Sequence, residues 1–283
     1  MPVTIISKSA SNRKYRINFF GYPYSGKTTG LATFIEEGPV CIINCPGEKG
    51  TESIPEGESF TNFIFEYETL TDEVSQRDSF NLTKEILEAF LAQTRSVLKG
   101  EQGEFSTVAF DGLLKLQEHF IDFASQGAYF KGIEFDTRRT YPKASALFTN
   151  FLSEVYYSQI PIIATTTWAR YDFPEENLSE TEQIQTVKQG GKKLWPNLIG
   201  KMAHQILGEF NASIYCTFEL FTKCASCQVA MKKGEGQIKE EHRVWQLAPA
   251  GDVYGVGIKD RRKEKRFPLF IHQEWKILKA LMA

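Results

Sequence analysis

"GYPYSGKTTG", residues 21–30, follows an apolar run ending at Phe20 and precedes a stretch with helical spacing. Gly21, Gly26, Lys27 and Thr28 complete the pattern G-x-x-x-x-G-K-[ST], which spells a phosphate-binding loop. Glycines at those positions let backbone N–H groups curl around an anion, and the start of the following helix adds partial positive charge. In such a loop the lysine neutralises β- and γ-phosphates and the next hydroxyl ligates Mg2+. Gly21, Tyr22, Pro23, Tyr24, Ser25, Gly26, Lys27, Thr28 and Thr29 are therefore the expected nucleotide-binding segment, with ATP and Mg2+ as its ligands.

Outward from the loop, residues 3–6 and 15–20 read as short strands and 28–37 as a helix stopped by Gly38-Pro39. The apolar run "VCIIN", 40–44, has the length and composition of a strand buried on both faces of a parallel sheet. A helix over 82–98, the strand "STVAFD" (106–111), helices over 113–124 and 146–157, and the strand "IPIIATTT" (160–167) continue the alternation. That rhythm predicts an α/β fold with a mainly parallel central sheet flanked by helices. Residues 172–193 are polar and aperiodic, the pattern of a long mobile loop. A helix over 196–207, a strand over 211–220, and β-like segments near 228–231, 242–247 and 253–258 predict an antiparallel C-terminal extension. The expected organisation is one domain over 1–270 and a closing helix within 271–283.

With 283 residues, 42% hydrophobic and 24% charged, the chain can bury a substantial core. Its formal net charge of -2 confines any nucleic-acid contact to local patches. The first residues lack the apolar core of a secretion signal and no run is long enough to span a bilayer, so a cytoplasmic placement is expected. Five scattered cysteines fit reduced thiols. Cys224 and Cys227 form a lone CxxC, short of the four ligands zinc asks for.

A metal-dependent nucleotide enzyme also needs a carboxylate near Mg2+. Asp111 ends the strand "TVAF", where the carboxyl edge of a parallel sheet faces its ligand, although a helix N-cap is the alternative role. Glu48, just past the second buried strand, is placed to orient water, or is a solvated loop glutamate. Thr165, Thr166 and Thr167 bring hydroxyls to the end of the third strand, where a γ-phosphate sensor would sit, and they are also good strand formers.

Together these motifs resemble the phage-encoded P-loop ATPases with a RecA-like core, including the Sak-type single-strand annealing proteins. Across residues 15–270 the resemblance rests on "GYPYSGKT", "VCIINCPGEKGTESI", "TVAFDGLLKLQ", "IPIIATTTWAR", "WPNLIGKMAHQI" and "YGVGIKDRRKEKRFP". It implies a RecA-like P-loop NTPase that is cytoplasmic (host cytoplasm if phage-encoded), oligomeric and active on single-stranded DNA in recombination or replication. A single-strand-binding protein is a further implied partner, and no membrane is involved. By the same resemblance Lys27 and Thr28 hold triphosphate and metal, Asp111 is the second metal residue, and Glu48 is the catalytic glutamate. Thr166 stands where RecA itself has a glutamine, a departure from that recombinase.

In RecA-like rings or filaments the nucleotide lies between subunits, and basic residues reach across. Lys259 and Arg261, in the run 259–266 with six basic residues against two acidic, resemble such residues. Two segments resemble RecA-type DNA loops. "GAYFKGIEFDTRRTY", 127–141, interleaves aromatics with Lys131, Arg138 and Arg139, and the loop after Trp168 offers Arg170, Lys192 and Lys193. Two other readings of the same motifs are a small-molecule P-loop kinase and a nucleotide-dependent assembly factor without turnover.

Overall fold

The computed structural model describes residues 14–48, 60–63, 72–172, 193–199, 210–221, 240–248, 257–258, 268 and 270–282. Strand β1 (Tyr15–Gly21) runs into helix α1 (Lys27–Ala32), which tightens into a 3-10 turn at Thr33–Glu37. The expected ten-residue helix is thus divided. Thr28, Thr29 and Gly30 are weak helix formers, and the Thr33 hydroxyl donates to Gly30 O at 2.8 Å, an i to i−3 contact that suits the tighter winding.

Next come β2 (Val40–Asn44), β3 (Phe60–Phe63), α2 (Asp72–Leu98), β4 (Thr107–Asp111), α3 (Leu113–Ala124) and α4 (Thr137–Tyr157). The chain then forms β5 (Ile162–Asp172), β6 (Lys193–Pro196), β7 (Ala212–Phe221), β8 (Glu240–Gln246), β9 (Gly257–Ile258), β10 (Phe270–His272) and a last helix, α5 (Trp275–Met282). The main sheet has the order β10-β8-β7-β1-β5-β4-β2-β3. Every pairing from β7 to β3 is parallel, and β8, β9 and β10 add antiparallel pairings beside β7. The expected α/β class and antiparallel extension both describe this sheet.

Alternation along the strands feeds two cores. Cys41, Ile43, Val108, Phe110 and Ile163 pack under α2, α3 and α4. Val40, Ile42, Ala109, Ile17, Phe19 and Ile214 face α1, the 3-10 turn and α5. On the first face Phe110 meets Phe151 edge-on, centroids 5.4 Å apart, and Phe120 meets Phe148 at 6.2 Å. Such pairs contribute about 1 kcal/mol each beyond their burial. At the amino edge, buried Arg16 ties β1 to the end of α4 by donating to the carbonyls of Tyr156, Ser158 and Ile160. Burial pulls its pKa down to about 10, so it stays charged at neutral pH.

Four further sequence expectations change. α4 starts at Thr137, not at 146. A proline removes one i to i−4 bond, which makes a start beyond Pro142 the natural expectation. Instead the Asp136 carboxylate accepts from the amides of Arg138 and Arg139 and sets the start upstream. α2 begins at Asp72, well before the expected start at residue 82. β5 runs on to Asp172 because its far end pairs with β6, Asp172 opposite Lys193. Lys193–Pro196 is strand and 197–199 is not helical, so no helix begins at Pro196. Residues 3–6, 173–192, 200–209 and 228–231 lie outside the described residues. No described helix is long and apolar enough to cross a membrane.

Candidate functional site

β1 delivers the loop at the carboxyl edge of the sheet. Gly21 sits beside Trp168 of β5 and Cys216 of β7 in register. A Cβ on Gly21 would fall 2.5 Å from Cys216 O and from Ser25 Oγ, so the loop closes down on its own first residue only because that residue is glycine. Gly26 takes the left-handed conformation at φ 83° just before α1. The Ser25 amide donates to Tyr22 O at 3.3 Å, which closes the turn. Tyr24, at φ 66°, is 90% exposed on its outside.

Lys27 extends back over the loop, donating to Gly21 O at 3.1 Å and Tyr22 O at 2.8 Å. Burial lowers its pKa, while the nearby carboxyl groups of Asp111 and Glu48 act in the opposite direction. Thr28 Oγ1 donates to Asp111 Oδ2 at 2.8 Å. Asp111, at the end of β4, also accepts from the Thr166 hydroxyl on its Oδ1. Thr166 in turn accepts from the Gly112 amide at 2.9 Å. The buried Asp111 carboxyl is shifted upward by desolvation, against the downward pull of the two hydroxyls and Lys27.

Glu48 arrives by a tight turn. Pro46 and Gly47 occupy its centre, Gly47 at φ 85°, and the Glu48 amide donates to Cys45 O at 2.9 Å. That is the type II geometry, which asks for proline then glycine. Cys45 N donates to Asp111 O at 2.8 Å, tying the end of β2 to the end of β4. The Glu48 side chain therefore lies against Gly112: a Cβ there would stand 2.7 Å from Glu48 Oε2. Lys27, Thr28, Asp111, Thr166 and Glu48, separated along the chain, meet at one end of the sheet.

The residues fit a magnesium–triphosphate group. Thr28 and Asp111 offer a hydroxyl and a carboxylate, the hard oxygen donors that Mg2+ takes. Ser25 Oγ is buried in the loop without a hydrogen-bond partner. Among the described residues, no cluster of three or more His, Cys, Asp or Glu side chains converges as a separate metal centre.

Other expected residues are spread more widely. Lys131 is exposed in the turn after α3, and Arg138 and Arg139 are exposed in the first turn of α4, where Arg139 pairs with Asp136 at 3.4 Å. They lie at the end of the antiparallel α3–α4 pair remote from Asp111, since α3 begins beside Asp111 and its twelve residues span roughly 18 Å. Arg170 is on β5 opposite Trp195. Lys192, Lys259, Arg261, Cys224 and Cys227 lie outside the described residues.

Three site neighbours went unnoticed in the sequence. Gln273, after β10, donates from Nε2 to Ser25 O at 2.9 Å and to Val244 O at 3.2 Å. The Arg243 stem passes Gly26, and the Trp245 ring covers Gly30, where a Cβ would stand 3.0 Å from the indole. No motif marks these residues, because their partners in the loop and α1 lie more than 200 positions away.

A scan against known protein families matches none, and comparison with curated proteins finds no match. Among solved structures the chain is similar to the X-ray structure of the Legionella pneumophila ATPase DotB, at 10% identity and TM-score 0.25 over 83% of this chain. The match spans 46% of that protein's length. At that score the likeness carries no functional argument.

Proposed function

We propose that this protein is a RecA-like, Mg2+-dependent ATPase acting on single-stranded DNA in recombination or replication, working in the cytoplasm as an oligomer. The observation that carries the ATPase reading is the convergence of Lys27, Thr28, Asp111, Thr166 and Glu48 at the carboxyl edge of the sheet. The strand order supports its RecA-like form, because β5, which bears Thr166, stands between the strand of the loop and the strand of Asp111.

Thr28 and Asp111 would hold Mg2+, which when bound supplies positive charge to the β- and γ-phosphate oxygens. Lys27 gives the triphosphate its main cation, exchanging its two carbonyl partners in the loop for phosphate oxygens. Glu48 orients the attacking water and accepts its proton. Thr166 senses the γ-phosphate through Asp111 and the Gly112 amide, both of which it already touches. Lys259 and Arg261 complete the site from a neighbouring subunit. Catalysis of this kind is chiefly positioning and charge stabilisation.

The DNA part rests on the sequence resemblance and on exposed cations beside aromatics. Lys131, Arg138 and Arg139 are exposed near Phe130 and Tyr141, whose surfaces are 45% and 37% open. Arg170, Lys192 and Lys193 would extend the phosphate contacts, and a single-strand-binding protein would share the strand.

Phosphate release from Mg–ATP, measured with and without single-stranded DNA, tests the proposal. Turnover should rise with DNA, vanish in Lys27→Ala, and fall about 100-fold or more in Glu48→Gln with ATP binding retained. Undiminished turnover in Lys27→Ala would remove the site. Phosphate transfer to a nucleoside without DNA stimulation would replace hydrolysis with a kinase activity, and tight ATP binding without turnover would leave an assembly factor.

A further inference from the structure

The phosphate loop is held from behind by the far end of the chain. Gln273, in the short link between β10 and α5, spans from Val244 O on β8 to Ser25 O in the loop. Its amide oxygen occupies the space that a Cβ on Gly26 would need, and Arg243 Cδ lies 3.1 Å from the same point. Two side chains of the C-terminal extension thus wall off one side of the Ser25–Gly26 peptide.

A trans peptide is planar, so its C=O and the following N–H point in opposite directions. Fixing Ser25 O toward Gln273 therefore fixes the Gly26 N–H away from Gln273, toward the concave side of the loop. An amide aimed before the ligand arrives spares the ordering cost that a loose loop would bear on binding.

We propose that Gln273 is a positioning residue for the phosphate site: its side-chain amide holds the Ser25 carbonyl outward and so presents the Gly26 amide to a nucleotide phosphate. Gln273 makes no contact with the ligand itself. This rests on the reading of residues 21–29 as a triphosphate site.

The test compares Gln273→Met, which keeps the length and packing of the side chain but has no donor, with Gln273→Lys, which restores a donor. Affinity for Mg–ADP is measured by titration calorimetry, and the Gly26 amide is followed by NMR on glycine-labelled protein. Expected are an affinity loss of about tenfold in the methionine variant, recovery of at least half of it on a logarithmic scale in the lysine variant, and a KM rise with kcat within about twofold. The Gly26 resonance should shift on adding Mg–ADP to the native protein and start from a displaced, broadened position in the methionine variant. Native affinity together with a native Gly26 resonance in a folded methionine variant would overturn the role of Gln273 while leaving the site standing. Absence of Mg–ADP binding by the native protein, with no response at Gly26, would overturn both.

Discussion

Asp111 sits under two opposing influences. Burial raises its pKa, while the hydroxyls of Thr166 and Thr28 and the Lys27 charge lower it, and burial prevails. A raised pKa means that the folded state holds the proton more firmly than the unfolded one. The stabilising contribution is then complete below the ordinary carboxylate range and is lost as pH rises through the raised value. Desolvation of the ionised form is thus a cost to the fold that grows as pH rises, retained where the carboxylate can serve a metal. Asp111→Asn is accordingly expected to melt at a higher temperature than the native protein at neutral pH, with the gap closing in acid. Hydrolysis should fall about 100-fold or more. Paired melting curves across pH and a phosphate-release assay check both halves, and a lower melting temperature at neutral pH would contradict the sign.

At the scale of elements, what was legible in the sequence is what is written locally. The strand, loop and helix around Lys27 use glycine and lysine at fixed spacing; the Pro46-Gly47 turn that folds Glu48 back onto Gly112 shows only in the folded chain. The start of α4 was hidden, because Pro142 argues against a helix while the Asp136 cap argues for one, and only the folded chain shows that the cap prevails. Gln273 was not legible at all: its bond to Ser25 crosses 248 positions. Moving Arg138 and Arg139 from loop to helix has a consequence for the proposed DNA contact. Adjacent residues on a helix point about 100° apart, so one straight strand of phosphates does not meet both equally. Replacing each by alanine should reduce the salt slope of single-strand binding by unequal amounts, together about 1.4 at most. Fluorescence anisotropy at several salt concentrations measures this, and unchanged slopes would discard the first turn of α4 as the contact.

Over the whole molecule, the sheet order is the part no local pattern discloses, since β2 follows β1 in sequence yet lies beyond both β5 and β4. The loop edge of the sheet is also an open one: Tyr22, Tyr24 and Trp168 are exposed there at 40%, 90% and 40%. Aromatic surface left bare beside a site is the kind of patch that another protein covers. If nucleotide is bound between subunits, ATP should shift the mass from the 32.2 kDa of one chain to a multiple of it. Lys27→Ala should abolish that shift. Light scattering with and without a non-hydrolysable ATP analogue reads the difference, and a single-chain mass under both conditions would separate the proposed hydrolysis from assembly.

The interposed β5 has one more effect. Thr28 and Asp111 meet through their side chains, while β1, which leads into the loop before Thr28, and β4, which ends at Asp111, are not neighbours: β5 lies between them. That same strand overshoots the site and ends in the ribbon it makes with β6. Any displacement of β5 relative to β1 and β4 would therefore change the spacing between the lysine loop and the aspartate.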